Sequence, residues 1–182
     1  MLIGGLGGTL ELRSEGGETR LRGRFPYSAV TALAGGRHEQ FAARAFAPRI
    51  DAGEDVHLLV AHDFDRPLAS RSAGSLDLSD GDDALTFEAR IAGGTSWAAD
   101  FLAAHRAGLI RGLSPGFRVP PGGERVERRG ADLVRTIGRA ELFEISAVTV
   151  PAYPAAQVEA RSWATDQAAP SDSGRALKRW RL

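Results

Sequence analysis

Six residues, Gly112-Leu113-Ser114-Pro115-Gly116-Phe117, set a serine between two glycines, after a helix-like stretch and at the start of an apolar-alternating one. Small neighbours let a backbone or a substrate come close to a serine hydroxyl. Tight turns use the same residue types, so two further segments decide how the motif is read. Val60-Ala61-His62-Asp63 ends an apolar run in a histidine, and Leu142-Phe143-Glu144-Ile145-Ser146 interrupts a strand-like run with a carboxylate. Together they supply a hydroxyl, an imidazole and an acid: a nucleophile, a base and a group to orient the base. In that chemistry His62 takes the Ser114 proton as the hydroxyl attacks a carbonyl, and Glu144 holds the other ring nitrogen.

Neighbouring residues limit this reading and offer alternatives. Pro115 has no backbone N–H, so the residue after the serine cannot donate to an oxyanion. The donor must be the Ser114 N–H, a separate loop, or an arginine such as Arg111 or Arg118. On a strand, Glu144 shares a face with Leu142, Ser146 and Val148, where an unpartnered carboxylate is costly. Its partner is either His62 or, as a structural ion pair, Arg139; Glu141 is the reserve acid but falls on the other face. His38 lies in a glycine loop, His105 on a helix flank, and His57 points opposite His62 if the strand is regular. Asp63 and Asp65 beside His62 offer a metal-dependent reading, but metal ligands must converge and no second histidine-carboxylate motif is present. Asp63 suits a turn cap instead. The residues call for no cofactor.

These groups need elements to position them. Strands are expected at 9–13 and 19–25, closed into a hairpin by Glu15-Gly16-Gly17-Glu18. Residues 39–46 read as a strand and a helical turn, with Pro48 at an early helical position. A strand at 55–62 puts Leu58, Val60 and His62 on one face. Alternation at 68–78 and 84–91 gives a second hairpin around Ser79-Asp80-Gly81-Asp82. The clearest helix spans 95–107, capped by Thr95 and stopped by Gly108, with Trp97 and Phe101 one turn apart. A strand at 113–119 must be an edge or bulged strand because of Pro115. A third hairpin follows around Gly130-Ala131-Asp132, then a core strand at 141–150. Many short strands, glycine turns and a few helices predict a mostly-β (α+β) fold, a closed or nearly closed β-barrel with flanking helices.

The chain has 182 residues, 43% hydrophobic, with 23 basic and 23 acidic side chains and no cysteine. That length predicts one domain, over 1–154, followed by a mobile tail at 155–182 that is rich in Ala, Ser, Asp and Arg. Zero net charge argues against a general nucleic-acid binder. Without cysteine there are no disulfides, thiolate nucleophile or cysteine-bound metal. The start is glycine-rich without a basic region, which does not read as a secretory signal, and no apolar run is long enough for a membrane span.

In order, His-Asp at a strand end, a strand pair, a helix, Gly-Leu-Ser-Pro-Gly-Phe, then Leu-Phe-Glu-Ile-Ser-Ala-Val closed by Thr-Val-Pro-Ala-Tyr-Pro, the chain resembles the prohead serine proteases of tailed phages and gene transfer agents. That family is in turn similar to the herpesvirus assemblins. The resemblance covers about residues 22–158. It implies an assemblin-like β-barrel and a serine endopeptidase acting inside the assembling procapsid in the host cytoplasm. Scaffold and major capsid protein segments, and the protease itself, are the implied substrates. It places the nucleophile at Ser114 and the base at His62. Assemblins use a second histidine as third member and the phage relatives an acid; Glu144 stands at that place here, and no histidine follows His105. A homodimer is implied by analogy with assemblins. A non-catalytic β-barrel capsid assembly factor is the competing reading.

Overall fold

A computed structural model describes residues 2–3, 9–15, 18–27, 29–33, 35–91 and 93–149. Turn chemistry cuts this chain into short strands. β1 is Leu2–Ile3. β2 (Thr9–Glu15) and β3 (Glu18–Pro26) pair antiparallel with Glu15 opposite Glu18, as the first predicted hairpin requires. The Gly16-Gly17 tip lies outside the described residues. β4 (Thr31–Leu33) and β5 (Arg37–Phe41) come next, and His38 belongs to β5 rather than to a loop. α1 (Ala47–Asp51) follows with Pro48 in its first turn.

Two strand expectations need correction. β6 (His57–Val60) stops before the histidine, and Ala61 and His62 form the turn into β7 (Asp63–Ser70). The predicted strand at 55–62 therefore does not set His62 on a face with Leu58 and Val60. The predicted run at 68–78 divides as well. Its first part belongs to β7, a turn with Gly74 at φ 65° intervenes, and β8 (Leu76–Asp80) pairs with β9 (Ala84–Ile91).

The remaining elements follow the sequence closely. α2 (Ser96–Arg106) starts at Thr95, whose side chain accepts the Ala98 N–H at 3.3 Å, and Gly108 follows at φ 71°. β10 (Gly112–Arg118), β11 (Glu124–Arg129), β12 (Asp132–Ile137) and β13 (Glu141–Val148) complete the described fold. The Pro151-Ala152-Tyr153-Pro154 break and the tail at 155–182 lie outside the described residues.

Among the described residues the fold is mostly β with two helices, and the ladders do not close into a barrel. Among the described residues the strands form three open sheets, ordered β1-β10-β13-β6-β7, β11-β12-β5-β4 and β2-β3-β9-β8. Two of the end strands are very short: β1 has two residues and β4 three. Two of the pairings, β13 with β6 and β12 with β5, are parallel, which a simple up-and-down meander does not contain.

The sheets meet around aromatic rings. Phe25 of β3, Phe41 of β5, Phe46 and Phe117 of β10 are all buried, and the Phe41 centroid lies 5.5 Å from Phe25, 5.1 Å from Phe46 and 5.2 Å from Phe117. The Phe41 contacts with Phe25 and Phe117 are edge-to-face and that with Phe46 is tilted; aromatic pairs add about 0.5–1.5 kcal/mol each beyond the area buried. A side chain at Gly23 would place its Cβ 2.2 Å from the Phe87 ring and 2.8 Å from Leu113, so this glycine lets β3 lie close against β10. The strand carrying Ser114 is thus held by packing from both neighbouring sheets.

Candidate active site

β10 and β13 run antiparallel, with Ser114 opposite Ser146 and Gly116 opposite Glu144. Directly opposed residues share a face of the sheet, so Ser114, Ser146 and Glu144 project to the same side. All three are buried, Ser114 and Glu144 at 0% exposure. Pro115 fits where its missing N–H does least harm. β1 pairs only with Gly116 and Phe117 across the outer edge of β10, and the β10–β13 register shifts between those two residues. The strand is both short of a neighbour at Ser114–Pro115 among the described residues and bulged just beyond, as Pro115 requires.

The second residue of the motif's glycine pair serves the acid. A Cβ on Gly116 would lie 1.9 Å from Glu144 Oε1 and 2.7 Å from its carboxyl carbon. Gly116 therefore leaves the space that the carboxylate occupies. Its role is to seat Glu144, in addition to any freedom it gives the serine turn.

His62 reaches this face from the β6–β7 turn. Parallel pairing of β6 with β13 carries the turn to the level of Ser146 and Ala147. Ala61 and His62 both have positive φ, 52° and 64°, the conformation of a two-residue hairpin turn that glycine and asparagine favour. Left-handed backbone costs an ordinary residue roughly 1–2 kcal/mol. Two hydrogen bonds to β13 hold it: Ala61 N–H donates to the Ala147 carbonyl at 3.0 Å, and His62 N–H donates to Ser146 Oγ at 2.9 Å.

The imidazole so placed lies with Nδ1 2.7 Å from Glu144 Oε1, and Ser146 Oγ–H donates to Glu144 Oε2 at 2.6 Å. Both carboxylate oxygens are satisfied. A carboxylate only accepts, so Nδ1 carries the proton, which in the neutral ring leaves the lone pair on Nε2. Nε2 is buried and makes no hydrogen bond, so the Ser114 hydroxyl is not bonded to it in this state. Of the two partners expected for Glu144, the structure shows His62; Arg139 instead donates to the Pro121 carbonyl at 3.3 Å.

The other expected residues fall elsewhere. Arg118 pairs with Glu141 and lies 5.8 Å over the Phe143 ring, on the side of β13 opposite Glu144, which removes it as an oxyanion donor at Ser114. Arg111 donates Nε–H to the Gly108 carbonyl. Asp63 accepts the Asp65 N–H at 2.9 Å, as a turn-capping side chain does, and pairs with Arg66 at 3.2 Å. His57 sits 3.6 Å from Asp55, His38 3.5 Å from Asp132, and His105 Nδ1 2.8 Å from the Ile110 carbonyl. Among the described residues no three His, Asp or Glu side chains converge as metal ligands. A cleft of about 570 Å³ flanks the turn, lined by Val60, Asp63 and Asp65 on one side and Trp97, Asp100 and Phe101 of α2 on the other.

Ser146 is the residue of this cluster that residue types and motif order alone give no role. The signal was present, since a serine two residues after a buried acid on a strand must face the same way.

A mostly-β fold whose buried carboxylate orients a histidine on the face of a strand bearing a serine has the make-up of a serine hydrolase. The family model for caudovirus prohead serine protease matches residues 9–169, and the chain belongs to that family of capsid-maturation serine proteases. No curated protein and no solved structure matches the chain. Among the described residues no helix is long and apolar enough to cross a membrane.

Proposed function

We propose that this chain is a serine endopeptidase that cuts scaffold and major capsid protein segments inside the assembling procapsid, with Ser114 as nucleophile, His62 as base and Glu144 as the group that orients the base. The observation that carries the reading is the 2.7 Å contact from His62 Nδ1 to the fully buried Glu144, which turns the bare Nε2 into the proton acceptor. Two buried serines lie opposite each other beside this pair, and the bonds of Ser146 assign its role. The Ser146 hydroxyl proton is committed to Glu144, so Ser146 cannot give it to the imidazole. Ser114, its cross-strand partner on the same face of the sheet, is the serine assigned to attack.

In the reaction, Ser114 Oγ attacks the peptide carbonyl carbon while its proton passes to Nε2. The imidazolium is stabilised by Glu144 and returns the proton to the leaving amine as the C–N bond breaks. Water then hydrolyses the acyl-enzyme by the same route in reverse. The Ser114–Nε2 hydrogen bond forms when substrate enters, as catalytic hydrogen bonds often tighten only in the complex. Residue 115, a proline without an N–H, does not serve as an oxyanion donor.

We assign 1–154 to the protease domain and 155–182 to a tail that is itself a substrate. The homodimer implied by assemblins remains part of this reading. Ser114→Ala tests the whole. Co-expressed with the coat protein, the variant is expected to fold with the wild-type melting temperature and to leave the coat protein and its own tail uncut by mass spectrometry. Coat cleavage at the wild-type sites by Ser114→Ala overturns the reading.

A further inference from the structure

We propose that Ser146 is a positioning residue that clamps His62 and Glu144 into one unit, accepting from the His62 backbone N–H while donating to Glu144 Oε2. The inference rests on the proteolytic reading of the site and deepens it. Ser146 is 0% exposed and touches both partners through one atom: 2.9 Å to the His62 nitrogen and 2.6 Å to Glu144. A serine hydroxyl has one proton and two lone pairs. Glu144 can only accept, so the proton must point to it, and a lone pair is left for the His62 N–H. The hydroxyl is therefore directional, with no second arrangement that satisfies both groups.

Each bond has a separate consequence. The bond to the backbone holds a histidine whose φ is 64°, a conformation the residue does not favour alone. The bond to Oε2 fixes the carboxylate's rotation, so that Oε1 stays in line with Nδ1. It also draws off part of the carboxylate's charge, since a hydrogen bond to the charged form stabilises it. In a variant without this hydroxyl the full charge of Glu144 faces the imidazole, which favours the protonated over the neutral ring. Other ionisable groups around the turn are Asp63, Asp65 and Arg66 of β7, with Asp63 and Arg66 paired at 3.2 Å, and Asp100 of α2 across the cleft. None bonds to Ser146, so they are common to wild type and variants and cancel in the comparison.

The test uses the full chain as wild type, Ser146→Ala, Ser146→Thr and Ser114→Ala. Activity is read on a fluorogenic peptide spanning a coat cleavage site, and the His62 ring is titrated by NMR. Ser146→Ala is expected to keep KM, lower kcat about 10- to 100-fold, as for loss of a hydrogen bond to a charged group, and move both the acid limb of kcat/KM and the His62 titration to higher pH. Ser146→Thr, which keeps the hydroxyl, is expected to recover both. Wild-type kcat and an unmoved His62 titration in Ser146→Ala overturn the inference. So does equal loss in both variants with no shift, because that is what mere packing at this position would give. If Ser114→Ala is inactive while Ser146→Ala behaves as wild type, only the clamp fails. If Ser114→Ala cuts, the proteolytic assignment fails, and the NMR titration still decides whether Ser146 sets the His62–Glu144 pair.

Discussion

A buried carboxylate is the most demanding group in this site, and its surroundings are built to satisfy it. Glu144 has no exposure, yet each oxygen has a donor, so the cost of burying the charge is offset by directional hydrogen bonds. Gly116 is part of that provision, because any side chain there would occupy the carboxylate's place. Its φ is outside the left-handed region, so alanine is tolerated by the backbone and the whole effect falls on Glu144. Gly116→Ala is expected to push the carboxylate out of line with Nδ1, lowering kcat by about 100-fold or more while costing about 1–3 kcal/mol of stability through overpacking. Peptide cleavage rates and urea unfolding on the same preparation check both. A fully active Gly116→Ala protein would show that the carboxylate does not need this seat.

Among the elements, the β6–β7 turn does the most to define the site. It presents His62 from a rigid hairpin instead of a free loop, and β13 stitches it down through Ala147 and Ser146. The strain is shared by two non-glycine residues, of which only His62 carries a catalytic group in the proposed mechanism. Ala61 is exposed, with φ 52° and no packing to lose. Ala61→Gly relieves roughly 1–2 kcal/mol of left-handed strain against about 0.5–1 kcal/mol of extra chain entropy. A net gain of about 0.5–1 kcal/mol in urea unfolding is expected, with unchanged kcat. A loss of stability would show that the turn is not strained at Ala61.

On the scale of the whole molecule, the sheets pack around the Phe25–Phe41–Phe46–Phe117 cluster, with a buried polar pair at its side. Tyr27 OH donates to Asp80 Oδ1, and Asp80 Oδ2 has no partner. Burial pushes Asp80 above the usual carboxylate range despite the Tyr27 bond, and burial and Asp80 together push the Tyr27 phenol up. The folded state thus binds the Asp80 proton more tightly than the unfolded chain. The stability this confers is fully present below the ordinary aspartate value of about 3.9 and is lost as pH rises through the raised folded value. Asp80→Asn keeps an acceptor for Tyr27 without the charge. Its stability relative to wild type is expected to grow from about pH 4 to pH 7 in paired urea titrations, following that loss. A difference that stays flat or shrinks with pH would place the proton elsewhere.

Local patterns carried much of this. The Thr95 cap, the Gly108 stop, the glycine hairpins and the Pro115 bulge follow from short-range preferences that hold wherever such residues stand. The serine, histidine and acid were legible too, because strand parity puts Glu144 and Ser146 on one side whatever the partner strand. Parity misplaced His62, since alternation cannot reveal that a chain leaves its strand at Val60 and turns through positive φ with alanine and histidine in place of the usual turn residues. It also suggested a closed barrel, because ladder closure depends on which distant edges meet and how long they are. The seating of Glu144 by Gly116 and the Ser146 clamp depend on strands from three parts of the chain lying side by side, and contacts between residues 28 to 84 positions apart leave no periodic trace along the sequence.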